Sequence, residues 1–381
     1  MSPPQLLTNP VRTYAWGSRS VLPALLGEAV PADQPWAEIW MGAHPADPSR
    51  LPDGRSLAEV VPDLPYLVKL LAAEEPLSVQ AHPDRERARA GYAAEEARGV
   101  PLTAPERTYK DANHKPELLV ALTTVEALVG FRPVDEVVAV AGALGSDRLD
   151  AVLEPLLADG PAEQRLRAGF GRLLLTPADE RPALVTEVVD RLACRPSVGT
   201  DADVAHWVTR LAVDRPDDPG VLAPLFLRLL VLPPGAGLFL APGVLHAYLH
   251  GAGVEVQASS DNVLRGGLTA KHVDVAELLD VVAYDQSPPP HVAPRPVAPG
   301  VEAYDVPVAD FAVWRLRPDG ADLAVPGSGP RLALCVEGVA TVDGLRLGPG
   351  RAAFLDPAPA GHEPAVANVT GSATLFVVAP G

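Results

Sequence analysis

Over the first third of the chain, apolar residues come in short runs cut by Pro and Gly: "RTYAWGS", "PYLVKLLA", "LSVQAH", "KPELLVALT" and "EALVGFRP". Runs this short, rich in β-branched and aromatic residues, suit strands better than helices, so residues 1–133 are predicted to be β-rich. One interruption, "PDRERARAGYAAEEARG", spaces Glu and Arg as on a helix face and is predicted helical. From Asp135 the period changes. "VDEVVAVAGAL", "RLDAVLEPLLADG", "EQRLRAGFGRLLL" and "ALVTEVVDRLA" place apolar residues three and four apart. Thr176-Pro177 adds a cap followed by proline in the first helical turn. Residues 134–220 therefore read as an all-helical insert without chemical residues of note. "PDDPGVLAPLFLRLLVL" reads as a last apolar helix, after which "AGLFLAP", "HAYLHG" and "GVEVQASS" resume the strand pattern, so that 221–290 rejoins 1–133. A proline-rich connector, "QSPPPHVAPRPVAPG" (286–300), marks a boundary. Beyond it, "FAVWRLRP", "RLALCVEGVATVDG", "LRLGPGRAAFLDPA" and "ATLFVVAPG" predict a smaller all-β domain over 291–381. The fold class expected is mainly β with a helical insert.

Composition narrows the function. With 381 residues, 48% of them hydrophobic, the chain has ample apolar surface for two or three cores and is not disordered. A net charge of −17 argues against nucleic acid and against an anionic membrane surface. An anionic small substrate would need a local positive patch. Cys194 and Cys335 lie far apart, with no metal or redox spacing, and are expected to be buried core thiols in a reducing compartment. The first residues carry no basic and apolar leader pattern. The longest apolar stretch is broken by Arg228 and by Pro233-Pro234, and reads as a short helix and then a strand rather than a membrane span. A soluble, cytoplasmic protein is expected. It is expected to be a monomer, since no long edge strand or apolar stripe stands out. Of 31 basic residues only Lys69, Lys110, Lys115 and Lys271 are lysine. Where arginine serves for charge alone, a retained lysine suggests a site that needs a compact ammonium.

Those lysines fall in or near four stretches rich in reactive side chains. In "LSVQAHP", Gln80 and His82 are two apart and would share a strand face. In "YKDANHKPELL", Pro116 bars helix, so Lys115 and Glu117 would share a face of an extended segment. In "LAPGVLHAYLHGAGVEVQ", His246, Tyr248 and His250 alternate up a strand. The Gly-Ala-Gly that follows reads as a tight turn, with Glu255 and Gln257 alternating on the return strand. "ASSDNVLRGGLTAKH" brings Asp261, Asn262, Arg265 and Lys271. Singly each has an ordinary explanation: a turn cap for Glu117, a hydrogen-bonded core histidine for His246, an Arg265–Asp261 ion pair.

Together, "YAWGS", "LVKLLAAEEPLSVQAHP", "YKDANHKPEL", "ALVGFRP", "PGVLHAYLHGAGVEVQASSDNVLRGGLT" and "DVPVADFAVWRL" closely resemble, in order, the type I mannose-6-phosphate isomerases. The resemblance implies a catalytic cupin-like jelly roll (1–133 with 221–290), a helical domain and a second, metal-free cupin-like domain. It implies one zinc ion per chain, with Gln80, His82, Glu117 and His246 as ligands, and Arg265 as an active-site arginine. It further implies a small anionic sugar phosphate as partner, with mannose 6-phosphate and fructose 6-phosphate interconverted through an enediol or enediolate. Two neutral histidines, one neutral glutamine and one glutamate would leave a divalent site with a net positive charge. Gln80 would then supply a hard oxygen without cancelling that charge. For the proton-transferring base, Lys115 and Glu255 stand as alternatives. Arg265 is assigned to the reacting end of the sugar, with the phosphate as the alternative. Lys69, a charge in an apolar strand, is assigned to substrate phosphate or hydroxyls. Trp16 is a candidate wall of the sugar pocket, and Lys110 and Lys271 are candidate rim charges. No role is given to His44, His206, His272, His291 or His362, and no metal is expected in the C-terminal domain.

Overall fold

The computed structural model describes residues 3–194, 200–287, 291–356 and 367–381. Two antiparallel sheets dominate it, with helices concentrated between residues 134 and 214. The first sheet runs His291–Val292, Gly237–Leu240, Glu117–Ala121, His246–Ala258, Tyr66–Ala73, Glu38–Gly42, Val11–Arg12. The short strands Gln80–Ala81 and Leu264–Arg265 and the pair Val125–Phe131 and Leu227–Leu232 attach along the first half of His246–Ala258. The second sheet runs Gln5–Leu6, Ala352–Leu355, Arg331–Val342, Asn368–Ala379, Ala312–Leu316, Val301–Tyr304, Arg295–Ala298. The chain thus begins in the sheet where it ends. Side chains of both sheets, among them Tyr66, Val68, Val254, Phe354 and Phe376, share one apolar cluster.

The charged stretch after Pro83 is helical over Arg85–Ala97, with the Asp84 carboxylate accepting from the Arg87 N–H as its cap. The helices Val134–Gly142, Asp147–Leu153, Ala162–Leu174, Arg181–Ala193 and Thr200–Asp214 follow the predicted period. Their apolar faces pack in one cluster with Val79, Leu128, Phe131, Leu245 and Leu264. The helical core is therefore continuous with the back of the segment carrying Gln80, His246 and Arg265. Among the described residues, no helix is long and apolar enough to cross a membrane.

Three local expectations are corrected. "PDDPGVLAPLFLRLLVL" is not one helix: Pro219–Leu222 is a 3-10 turn, Ala223–Phe226 a single helical turn, and Leu227–Leu232 a strand against Val125–Phe131. A continuous apolar run does not by its period separate helix from buried strand, and an open strand edge decided the matter. Nor does "HAYLHGAGVEVQA" turn back at Gly-Ala-Gly. His246–Ala258 is one strand of 13 residues with a register shift between Tyr248 and His250. Gly251 holds φ 113°, and a Cβ there would collide with the Thr124 carbonyl oxygen. The glycine serves a bulge rather than a hairpin. Cys335 is buried as expected, but Cys194, at the end of its helix, is exposed.

Candidate active site

The strand His246–Ala258 is the spine of the site. Gln80 lies opposite His246, and Arg265 opposite Gln80. Farther along, Lys69 lies opposite Glu255, and Glu117 opposite Gln257. On an unbroken strand, residues 246 and 255 would point to opposite faces. The bulge adds one residue and reverses the alternation, so Tyr248 and Glu255 line the same cavity. That cavity, about 640 Å³, is also lined by Trp16, Lys69, Gln80, Lys115, Glu117, Arg265 and Lys271. A larger groove of about 1130 Å³ runs between helices past Arg148, Arg167 and Arg172, and holds none of the predicted site residues.

Ligand atoms of His82, Glu117 and His246 all lie within 4.8 Å of one another, fully buried. The His82 Nδ1–H donates to the Asn262 carbonyl at 2.7 Å, and the His246 Nδ1–H to the Val244 carbonyl at 2.9 Å. A carbonyl only accepts, so both rings carry a proton on Nδ1 and turn Nε2 inward, where a neutral ring presents a bare lone pair. Burial, reinforced by the Lys115 charge and only partly offset by Glu117, pushes the His82 imidazole down to about 4. It is neutral at pH 7. The two Nε2 atoms nevertheless face the Glu117 carboxylate at 3.4 and 3.5 Å. Lone pairs pointed at a carboxylate repel it, and His82 Nε2 and Glu117 Oε2 have no hydrogen-bond partner. Two ligands about 2.1 Å from a tetrahedral ion would stand about 3.4 Å apart. The end of the Gln80 amide is 3.5 Å from His246 Nε2, and a half-turn of that amide presents its oxygen to the same centre. The donor set fits a divalent cation.

Around this centre the charges are paired unevenly. Lys115 Nζ sits 2.9 Å from Glu117 Oε1, as the shared face across Pro116 predicts. Burial alone would raise the Glu117 carboxyl, but the Lys115 charge holds it well below the usual carboxylate range. Lys69 Nζ is clamped between Glu255 at 3.0 Å and Glu38 at 3.3 Å. Burial would lower that ammonium, yet Glu255 and Glu38 raise it above its ordinary value. Burial lifts the Glu255 carboxyl in turn, with Lys69 opposing and Glu117 adding to the rise. The Tyr248 hydroxyl is buried without a hydrogen-bond partner, and burial with the Glu255 and Glu117 charges keeps it protonated far above its usual range. Arg265, half-buried, meets no carboxylate among the described residues, and desolvation lowers its guanidinium. Asp261, the partner weighed for it, bonds His44 at 3.1 Å instead. Lys271 likewise has no carboxylate partner among the described residues. Lys110 donates to the Leu102 carbonyl at 2.7 Å, in an adjoining cavity of about 500 Å³ that shares Arg265 and Lys271.

Gln80, His82, Glu117, His246, Lys115, Glu255, Lys69, Arg265 and Trp16 are thus brought together. His250 is exposed and outside the cavity, and His362 lies outside the described residues. Sequence reasoning missed Glu38, although a carboxylate in the apolar run "EIWMG" carries the same signal that singled out Lys69. It also gave no role to His44, which is buried against Asp261.

The family described as "Phosphomannose isomerase type I, catalytic domain" matches residues 5–134. Over 388 residues the chain is 36% identical to the mannose-6-phosphate isomerase of Escherichia coli (strain K12), covering 92% of this chain and 94% of that one. It is 33% identical over 364 residues to the Homo sapiens protein of the same name, covering 84% and 82%. A mannose 6-phosphate isomerase crystallised with zinc bound superposes with a TM-score of 0.88, at 33% identity and full coverage of both chains. A point mutant of phosphomannose isomerase from Salmonella typhimurium gives the same TM-score at 32% identity.

Proposed function

The chain belongs to the type I mannose-6-phosphate isomerases, and from that premise we propose how its residues interconvert D-mannose 6-phosphate and D-fructose 6-phosphate. The reaction moves a proton between C2 and C1 through an enediol or enediolate. The observation that carries the reading is the convergence of two histidine Nε2 atoms on a buried carboxylate, an arrangement that a bound cation satisfies. His82, His246, Glu117 and Gln80 would hold zinc there. When bound, zinc supplies Lewis-acid stabilisation of the negative charge that builds on the sugar oxygens.

Glu255 is the base. It lines the cavity as a carboxylate whose basicity burial increases, and it takes the proton from C2 and returns it at C1. Lys69, with carboxylates on two sides, orients Glu255 and keeps it ionised rather than reaching the phosphate. Lys115 pairs with Glu117 and faces the cavity as a proton donor to a sugar oxygen. The Tyr248 hydroxyl, buried beside Glu255, offers a further donor. Arg265 and Lys271, uncompensated by carboxylates among the described residues, supply the positive patch that a sugar phosphate needs on a chain of net charge −17. Arg265, opposite Gln80, serves the reacting end; Lys271, six residues on, serves the phosphate. The two sheets support a reading as cupin-like jelly rolls, the C-terminal one without metal, with 134–220 as a helical domain.

The test is incubation of the pure protein with mannose 6-phosphate, with chelator, without it and after zinc is restored. Fructose 6-phosphate is expected except in the chelated sample. Its absence with zinc restored overturns the assignment. For the base, Glu255→Gln is expected to abolish exchange of the C2 hydrogen with D2O while zinc content is unchanged. Lys115→Met is expected to retain measurable exchange, and the reverse result makes Lys115 the base.

A further inference from the structure

The metal ligands stand on short segments, and something outside the cavity must hold those segments in register. Two loops do this: residues 109–114, which lead into Lys115 and Glu117, and residues 259–262, which lead into Arg265. They are joined by an interlocked set of hydrogen bonds. The Asp111 carboxylate accepts from the Ser260 hydroxyl at 2.8 Å, from the Asp261 N–H at 2.7 Å and from the Asn262 side-chain amide at 3.1 Å. In return, the Asn262 Oδ1 accepts from the Lys110 N–H at 2.7 Å, and its Nδ2 donates to the carbonyls of Asp111 and Asn113, each at 2.8 Å. Asn262 is fully buried, with its side-chain donors and acceptor satisfied. Its own carbonyl is the group that receives the His82 Nδ1–H.

We propose that Asp111 and Asn262 form a loop clamp that sets the affinity of the metal centre, Asp111 acting as a positioning residue for His82 and Glu117 without touching metal or substrate. The inference rests on the zinc site described above. The Asn262 carbonyl fixes which His82 nitrogen carries the proton and where its lone pair points, and a ligand's outer partner is worth a large part of its affinity. Asp111 holds that carbonyl in place. Without its carboxylate, the Asp261 N–H loses its acceptor and the Ser260 hydroxyl keeps only the longer bond to the Asn113 carbonyl at 3.2 Å, so loop 259–262 shifts to find water. His82 loses its anchor on one side, and the segment carrying Glu117 loses its tie on the other.

The experiment is zinc affinity of metal-free protein, by competition with a chromophoric chelator, for wild type, Asp111→Ala and Asp111→Asn. Thermal melting and far-UV circular dichroism of the metal-free forms report the fold. Asp111→Ala is expected to bind zinc on the order of 10- to 100-fold more weakly with its circular dichroism unchanged. Asp111→Asn, which keeps one acceptor oxygen, is expected to fall between. The apparent zinc requirement for activity should rise in parallel, while kcat at saturating zinc stays within a few fold of wild type. A merely structural role would lower kcat irrespective of zinc. Should Asp111→Ala not fold, Ser260→Ala removes one hydroxyl of the clamp and is expected to weaken zinc several-fold. Wild-type affinity in a folded Asp111→Ala, or in Ser260→Ala where that stands in, overturns the clamp, as does a kcat loss that zinc does not restore. Wild-type protein that binds no zinc overturns the metal centre itself and the clamp with it.

Discussion

Replacing Lys69 by Met removes the ammonium that lies 3.0 Å from Glu255 and 3.3 Å from Glu38 while keeping an apolar stem of similar length. Glu38 retains a partner, the Trp40 indole N–H at 2.9 Å. Glu255 retains no charged group in contact, only the nearby Tyr248 hydroxyl. A buried carboxylate without a charged partner takes up a proton rather than stay charged. The cost at pH 7 is bounded by the distance from the ordinary glutamate pKa of about 4.3, which at about 1.36 kcal/mol per unit is about 3.7 kcal/mol. The wild-type carboxyl is already lifted by burial, so the loss should fall below that ceiling, at about 3 kcal/mol, the low end for breaking a buried pair. The sign is specific. In the variant the folded state binds a proton that the unfolded chain releases, so the penalty is absent below about pH 4.3 and grows as pH rises. It levels off once pH passes the raised folded pKa. At pH 5 the bound is only about 1 kcal/mol. The assay is equilibrium urea unfolding of metal-free protein from pH 5 to 8, followed by tryptophan emission and far-UV circular dichroism, whose transitions must coincide. Adding Glu255→Gln to Lys69→Met should recover most of the loss. A deficit that is flat across this pH range, or below about 1 kcal/mol at pH 7, would refute the buried-charge argument.

Gln80→Glu should bind zinc at least as tightly as wild type and yet lower kcat by about 10-fold or more, because a second carboxylate removes the site's net positive charge; unchanged kcat would show that ligand charge is not limiting. Arg265→Lys keeps the charge but not the planar fork, and should lower kcat/KM by about 100-fold with zinc content unaltered. Gly251→Ala meets the Thr124 carbonyl at a backbone angle of φ 113° and should destabilise the fold by about 2 kcal/mol or more, read from the same urea transitions. Burial pushes the Cys335 thiol up to about 11, so native protein should show one fast-reacting thiol, Cys194, and two only in denaturant.

The mainly β fold class was legible because it rests on local patterns, whereas the ligand set was implied by the resemblance of ordered motifs rather than by any one of them. Short apolar runs between Pro and Gly are strands, three-and-four spacing is helix, and Pro116 forces the extended geometry that sets Lys115 beside Glu117. What misled was information held elsewhere in the chain. Leu227–Leu232 is a strand because Val125–Phe131 offers it an edge. Glu38 enters the site only because its strand lies beside Tyr66–Ala73. Asp111 and Asn262 are ordinary turn residues until two loops 150 positions apart are brought together.

Gly-Ala-Gly misled for a more instructive reason. A turn and a bulge both call for glycine, and both bring His246 and Glu255 to a common cavity, one by doubling the chain back and the other by reversing the alternation of a single strand. They differ in what they do to catalysis. On a hairpin, ligand and base would stand on separate strands joined by a loop free to flex. Here His246 and Glu255 share one continuous strand, hydrogen bonded on both edges over its second half to Glu117–Ala121 and Tyr66–Ala73. The distance from His246 to Glu255 is then set by backbone inside a sheet, the least compliant part of a protein, and not by loop closure. The groups left to adjust to the sugar are Arg265 and Lys271, which no carboxylate restrains among the described residues. Discrimination between sugar phosphates should therefore reside in that segment, while the proton-transfer geometry stays common to every substrate the cavity admits.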